Sequence, residues 1–272
     1  MEEKRSRRSA RVLRAVLAFL LMLAVVCAAD PRMPETGSKT KKGGGLTVDY
    51  SHIDEGYVMV KAKQGSKKLK LRVKMGKTTL TYNLNNKGEY EVIPMQLGNG
   101  SYNFILYKNV SGNKYSEEGK VSLKASMPDE MSAFLYPNQY VNYTADCAAV
   151  LEAQKLCEGV TDQEQIFKIV CDYMKTNFVY DYIKAVTVQP GQLPQIDECW
   201  EKRMGICQDL AAVMVCMLRS QGVPAKLMIG MLNESTYHAW VTVVVNGEEK
   251  FYDPTAALNA VSKGSYTVER FY

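Results

Sequence analysis

Between positions 46 and 126, apolar and polar residues alternate with a period of two. The runs are YVMVKAK at 57–63, KLKLRVKM at 68–75, TTLTYNL at 78–84, YEVIPM at 90–95, SYNFILYK at 101–108 and KVSLKAS at 120–126. Turn-forming groups separate them: Gln64-Gly65-Ser66, Asn85-Asn86-Lys87-Gly88, Gly98-Asn99-Gly100 and Ser111-Gly112-Asn113. Short alternating runs punctuated in this way predict an antiparallel β-sandwich. Lysines 61, 63, 68 and 70 alternate with apolar neighbours and belong to a solvated outer face. From 127 the period lengthens. Residues 145–158 are apolar at helical spacing and stop at Gly159, and Thr161 with Glu164 forms a capping-box signature for a helix reaching Thr176. An extended aromatic stretch (178–182), a Gly/Pro/Gln loop (189–194) and a short helix (197–203) follow. The stretch GICQDLAAVMVCMLRSQ at 205–221 is about four turns of mostly apolar residues closed by Gly222 and Pro224, which describes a buried helix. Residues 225–232, 237–245 and 249–253 read as strands, the last two joined by Asn246-Gly247, a strong hairpin signal. Helices followed by an antiparallel sheet, with no βαβ alternation, give an α+β domain over 127–272.

The start of the chain has a different character. Residues 1–14 are basic, 15–29 apolar and 30 onward polar, which is the order of a secretory signal or a short N-terminal anchor. Export is therefore expected, with cleavage after Ala28 or Ala29 fitting the small-residue rule and Cys27 offering a lipidation alternative. Residues 30–45, rich in Pro, Gly, Ser and Lys, read as a flexible linker before a sandwich domain at 46–126. The formal net charge is +5, yet six basic residues (Lys4, Arg5, Arg7, Arg8, Arg11, Arg14) lie in the first 29 against Glu2 and Glu3. The remainder is nearly neutral, which gives no electrostatic case for nucleic acid. Membrane contact is expected only through the N-terminal segment.

Seven cysteines occur, none in a C-x-x-C pair, so zinc or iron–sulfur ligation has little support and no cofactor is called for. Cys147, Cys157, Cys171 and Cys216 fall on helical stretches, where a buried thiol acts as a small hydrophobe. Cys207 differs, because it opens the helix, where unpaired N–H groups and the positive end of the macrodipole favour a thiolate. A nucleophilic thiol also requires a base and a group orienting that base. Of the two histidines, His52 sits among polar residues near the start of the sandwich, whereas His238 heads the strand HAWVTVVV. Counting pairs outward from a two-residue Asn246-Gly247 loop sets His238 opposite Thr255. Asp253 then lies two residues from that position on the same face, a diagonal neighbour about 7–8 Å away at the backbone.

Gly205 and Cys207 opening the helix, Arg219, Gly222 and Pro224 at its exit, His238-Ala239-Trp240, and Asp253-Pro254-Thr255 together resemble the transglutaminase-like superfamily, which shares the papain-like thiol-enzyme core. The resemblance covers roughly 164–255, with Phe251 where a tryptophan often precedes the aspartate. It implies Cys207 as nucleophile, His238 as general base and then acid, and Asp253 as the group fixing the imidazole, a catalytic triad. The backbone N–H of Cys207 is the default oxyanion donor, with Gln192, Gln195 or Tyr180 as candidates for a second. The expected protein is an exported cysteine-dependent acyl-transfer enzyme acting on peptide or protein amides, cell-wall peptides included. Hydrolysis is preferred over cross-linking, because no acidic cluster suggests the calcium control of animal cross-linking relatives. The alternative is a surface binding module that keeps the fold without catalysis. Cys199, eight residues before Cys207, is read as structural rather than as a disulfide partner for it.

Overall fold

A computed structural model describes residues 30–261 and 264–272. The segment 1–29, on which the export expectation falls, lies outside the described residues. Eight strands come first: β1 (Thr40–Gly43), β2 (Leu46–Asp49), β3 (Tyr57–Ala62), β4 (Leu69–Met75), β5 (Thr78–Leu84), β6 (Glu91–Pro94), β7 (Gly100–Ser111) and β8 (Lys114–Ala125). They form two four-stranded antiparallel sheets, ordered β1-β2-β3-β6 and β5-β4-β7-β8. The alternation sets their faces. In β4, Leu69, Leu71 and Val73 are buried while Arg72 and Lys74 are exposed, and Val58 and Val60 of β3 meet Tyr102, Phe104 and Leu106 of β7 inside. The outer face of β3, Tyr57 and Met59, is covered by Leu135 and Tyr136 from the following segment.

The linker expected at 30–45 is instead drawn onto this first sheet. Residues 40–43 are β1, paired with β2, and the Gly37 N–H donates to Asp49 Oδ2 at 2.7 Å. Composition hid this because β1 is an exposed edge with little apolar content, held through its backbone. At Gly43 a Cβ would stand 2.0 Å from the Lys120 carbonyl oxygen, so only glycine lets β1 cross so close to β8.

The second part contains helices α1 (Ala148–Leu156), α2 (Gln163–Asn177), α3 (Tyr182–Thr187), α4 (Ile196–Lys202), α5 (Cys207–Ser220) and α6 (Pro254–Ala257). Its main sheet is antiparallel and ordered β13 (Glu248–Tyr252), β12 (Thr236–Val245), β11 (Ala225–Leu232), β14 (Tyr266–Phe271). A two-residue parallel pair, β9 (Val179–Tyr180) with β10 (Met204–Gly205), brackets α3 and α4. Asp162, not Thr161, caps α2, its side chain accepting from the Gln165 N–H at 2.9 Å. Every residue of α5 from Asp209 to Ser220 is buried, so this helix is the axis around which the other helices and the sheet pack. The fully buried Arg219 ties it in place. Nε donates to the Ala225 carbonyl (2.9 Å), one terminal nitrogen to Tyr136 (2.7 Å) and the other to Tyr272 (2.9 Å). One apolar core runs unbroken from the sandwich into the helices, with Tyr272 stacked on Tyr140 at 3.5 Å and edge-on to Tyr82 at 6.0 Å.

Candidate active site

The chain turns into α5 through β10, and the turn is fixed by a carboxylate. Asp209, the third residue of the helix and wholly buried, accepts from the Ile206 N–H (3.2 Å) and the Gln195 N–H (3.0 Å), and its Oδ2 pairs with Lys184 Nζ at 2.8 Å. One side chain therefore joins the helix start, the 189–195 loop and α3. Gly205 leaves room for this. A Cβ there would lie 2.6 Å from Cys199 Sγ and 2.9 Å from Asp209 Cβ. Cys199 thus fills space beneath the turn, and burial pushes its thiol up to about 12, the behaviour of an inert packing residue. Cys207 itself is half-buried at the first helical position.

His238 reaches the site from β12, where it pairs with Gly230 of β11. The hairpin forms in the expected register, with Thr242 opposite Phe251 and Val241 opposite Tyr252, and both loop residues adopt positive φ (Asn246 52°, Gly247 84°). The ladder ends at Tyr252, so Thr255 never pairs with His238. Instead the chain curls into α6 with Asp253 as its N-cap, and Pro254 begins the helix. Asp253 Oδ1 accepts from the Thr255 and Ala256 N–H groups (2.8 and 3.1 Å), which points Oδ2 at His238 Nε2, 2.8 Å away. Capping fixes the carboxylate more tightly than a strand position could.

Burial opposes charge on the imidazole, but the hydrogen bond to Asp253 and the neighbouring Cys207 side chain outweigh it and push His238 up to about 9. With Nε2 given to Asp253, Nδ1 is the nitrogen left for the thiol. Burial also opposes the Asp253 charge, yet the bond from His238 and a second donor keep its carboxyl below the usual range. That second donor is Tyr266 on β14, whose hydroxyl reaches Oδ2 at 2.7 Å. Tyr266 is a participant that sequence reasoning missed, since it lies in a strand with exposed, weakly alternating residues. Trp240 packs against both His238 and Tyr266, ring centroids at 6.4 and 5.1 Å, beneath the site.

The other candidates divide. The Gln195 amide is turned to the carbonyls of Leu193 and Pro194 (3.1 and 3.3 Å), and the Gln208 amide donates to the Gln192 backbone carbonyl at 3.1 Å. Tyr180 pairs with Gly205 across β9 and β10, and burial, with the Cys207 charge adding to it, raises its hydroxyl to about 12. His52 lies far off in the sandwich region, bonded to Glu55 at 2.8 Å and stacked on Tyr57. Among the described residues no group of three or more His, Cys, Asp or Glu could hold a metal ion, and no helix is long and apolar enough to cross a membrane.

The fold and this site define a class: an α+β protein in which a cysteine at a helix start lies near a histidine on an antiparallel strand that is paired with an aspartate capping the helix after the hairpin. Residues 152–252 match the family model described as the transglutaminase-like superfamily, so this part of the chain is transglutaminase-like. Among solved structures, one similar to it is a protein of Cytophaga hutchinsonii described as a candidate cysteine protease (14% identity, 86% of this chain, 90% of that one, TM-score 0.38). Two others are the periplasmic domain of TgpA from Pseudomonas aeruginosa (14%, 83% and 96%, 0.38) and red sea bream transglutaminase (13%, 73% and 48%, 0.33). No curated protein matches the chain.

Proposed function

We propose that the chain is a cysteine-dependent acyl-transfer enzyme that works outside the cytoplasm on peptide or protein amides. The observation that carries this reading is the convergence of Cys207, His238 and Asp253, with the imidazole held from behind by a capped carboxylate and pushed up to about 9. In the proposed cycle the Cys207 thiol gives its proton to His238 and the sulfur attacks the amide carbon. The bond to nitrogen breaks, His238 passes the proton to the departing amine, and a thioester remains. Water then attacks the thioester, His238 takes the water's proton, and the acid is released as the sulfur regains that proton. The Cys207 N–H, at a helix position with no intrahelical partner, supports the oxyanion, and Tyr180 is our choice for the second donor. A lysine amine replacing water would turn hydrolysis into cross-linking. Hydrolysis is our reading, because the sequence lacks the acidic clusters of calcium-controlled cross-linking relatives. Extracytoplasmic action is supported by the basic-then-apolar order of 1–29.

Rapid alkylation of Cys207 by iodoacetamide near neutral pH, lost in Cys207→Ala, is the expected result. Equal, slow reactivity of all cysteines would sink the enzyme reading in favour of a binding module. Following ammonia release and peptide cleavage with a glutamine peptide and a fluorescent amine separates the two acceptors. Amine incorporation without cleavage would overturn hydrolysis.

A further inference from the structure

Helix α3 is inside out. A short surface helix ordinarily turns apolar residues inward and charge to water. Here the single charged side chain, Lys184, points in to Asp209 and is 16% exposed, while Tyr182, Ile183 and Val186 are 64, 78 and 85% exposed. Val179 of β9 extends the same surface at 58%. Leaving these four in water forgoes the burial that would ordinarily stabilise each apolar side chain. The inversion is also built in. Asp181 caps α3 by accepting from the Lys184 N–H at 2.8 Å, and its own N–H donates to the Gly205 carbonyl at 3.0 Å, two residues before Cys207.

The apolar face is continuous with the thiol site. Tyr182 stands edge-on to Tyr180, centroids 5.0 Å apart, and Tyr180 is the strand partner of Gly205. Through Lys184 the helix is bonded to the same carboxylate that sets the start of α5. Tyr237, the residue before His238 on β12, is half exposed beneath Arg270. An extended chain whose carbonyl reaches Cys207 from the Tyr180 side passes along α3.

We propose that Tyr182, Ile183 and Val186, with Val179, form a recognition shelf for an apolar side chain of the acyl-donor peptide. The shelf covers itself with substrate and thereby selects apolar segments, such as those exposed in unfolded or extended proteins. This rests on the thiol-enzyme reading above.

The test uses two peptidyl acyloxymethyl ketones that alkylate the active thiol, identical except for Phe or Asp at the position preceding the residue at the reactive carbonyl, and iodoacetamide as a probe too small to need the shelf. The Phe probe is expected to label Cys207 at least tenfold faster than the Asp probe. In Ile183→Ser/Val186→Ser, whose side chains are already in solvent and whose change should not disturb folding, that preference should fall to within twofold while the iodoacetamide rate stays the same. No preference in the parent, or an undiminished one in the double variant, overturns the shelf. Slow iodoacetamide labelling of the parent overturns it too, and marks the thiol reading as the failed step. If the double variant instead loses only binding to phosphatidylglycerol vesicles, or only self-association on gel filtration, with the probe preference intact, the face belongs to a membrane or to a second copy and the proposal fails.

Discussion

The two halves of this molecule treat charge in opposite ways. In the eight N-terminal strands the interior is almost wholly apolar and lysines and arginines line the outside. Asp49 is the one buried charged residue there, and it caps a local turn. In the helical half Asp209, Arg219, His238 and Asp253 are all buried. A sandwich core can be assembled from interchangeable apolar residues, whereas each buried charge needs particular partners and loses them all at once when one is removed. Specific geometry, and with it any chemistry, is concentrated where the charges are.

Substitutions of the buried charges should matter far more than those on the sandwich exterior. Asp253→Asn should lower kcat/KM about 10²- to 10⁴-fold, since the imidazole loses the acceptor that fixes it. Its pH profile carries the diagnostic. In the parent, the protonated imidazole persists to about pH 9, so acylation should decline only as pH rises through that value. Without the Asp253 charge the alkaline limb should move to lower pH, and a limb that stays in place would show that the carboxylate does not act through His238. The same pairing contributes stability that is complete below about 6.5 and is lost as pH rises through about 9, readable as a falling thermal midpoint. Arg219→Met should cost about 3–5 kcal/mol in urea unfolding, because three buried carbonyls from distant segments lose their donor together. Tyr266→Phe should be milder, about 1.5–3 kcal/mol at most in transition-state stabilisation. Because the hydroxyl helps keep Asp253 ionised, its loss should move the acid limb of the profile to higher pH. Lys74→Ala on the sandwich exterior should stay within about 0.5 kcal/mol, and a larger loss there would erase the contrast.

The same contrast governs what could be read from the chain. Strands β4 and β7 announce themselves because burial follows the alternation, whereas β3 is buried on both faces because Leu135 and Tyr136 cover Tyr57 and Met59. The hairpin register followed from Asn246-Gly247, and the three site residues from their motifs. Asp253 nonetheless reaches His238 by capping α6 rather than by lying in a strand, since the ladder stops at Tyr252. Strand β1 was read as linker because its pairing is all backbone. Helix α3 carries no legible helical signal for a different reason: its pattern is inverted, so a rule that places apolar residues inside finds nothing over 183–187, and only Tyr182 falls in the extended aromatic stretch at 178–182. Tyr266 and Asp209 carry no periodic signal, because their importance lies in single long-range hydrogen bonds.

The site joins a pairing local in the chain to packing between distant segments. His238 and Asp253 are 15 residues apart and joined through one hairpin, so their pairing closes a short loop and can form early and locally. Cys207 joins them only when α5 has docked across the sheet and Arg219 has gathered Tyr136 and Tyr272. The dyad thus depends on one local hairpin, whereas the place of Cys207 beside it depends on packing between distant segments. Rapid alkylation of Cys207 would serve as a clock for the completion of the core.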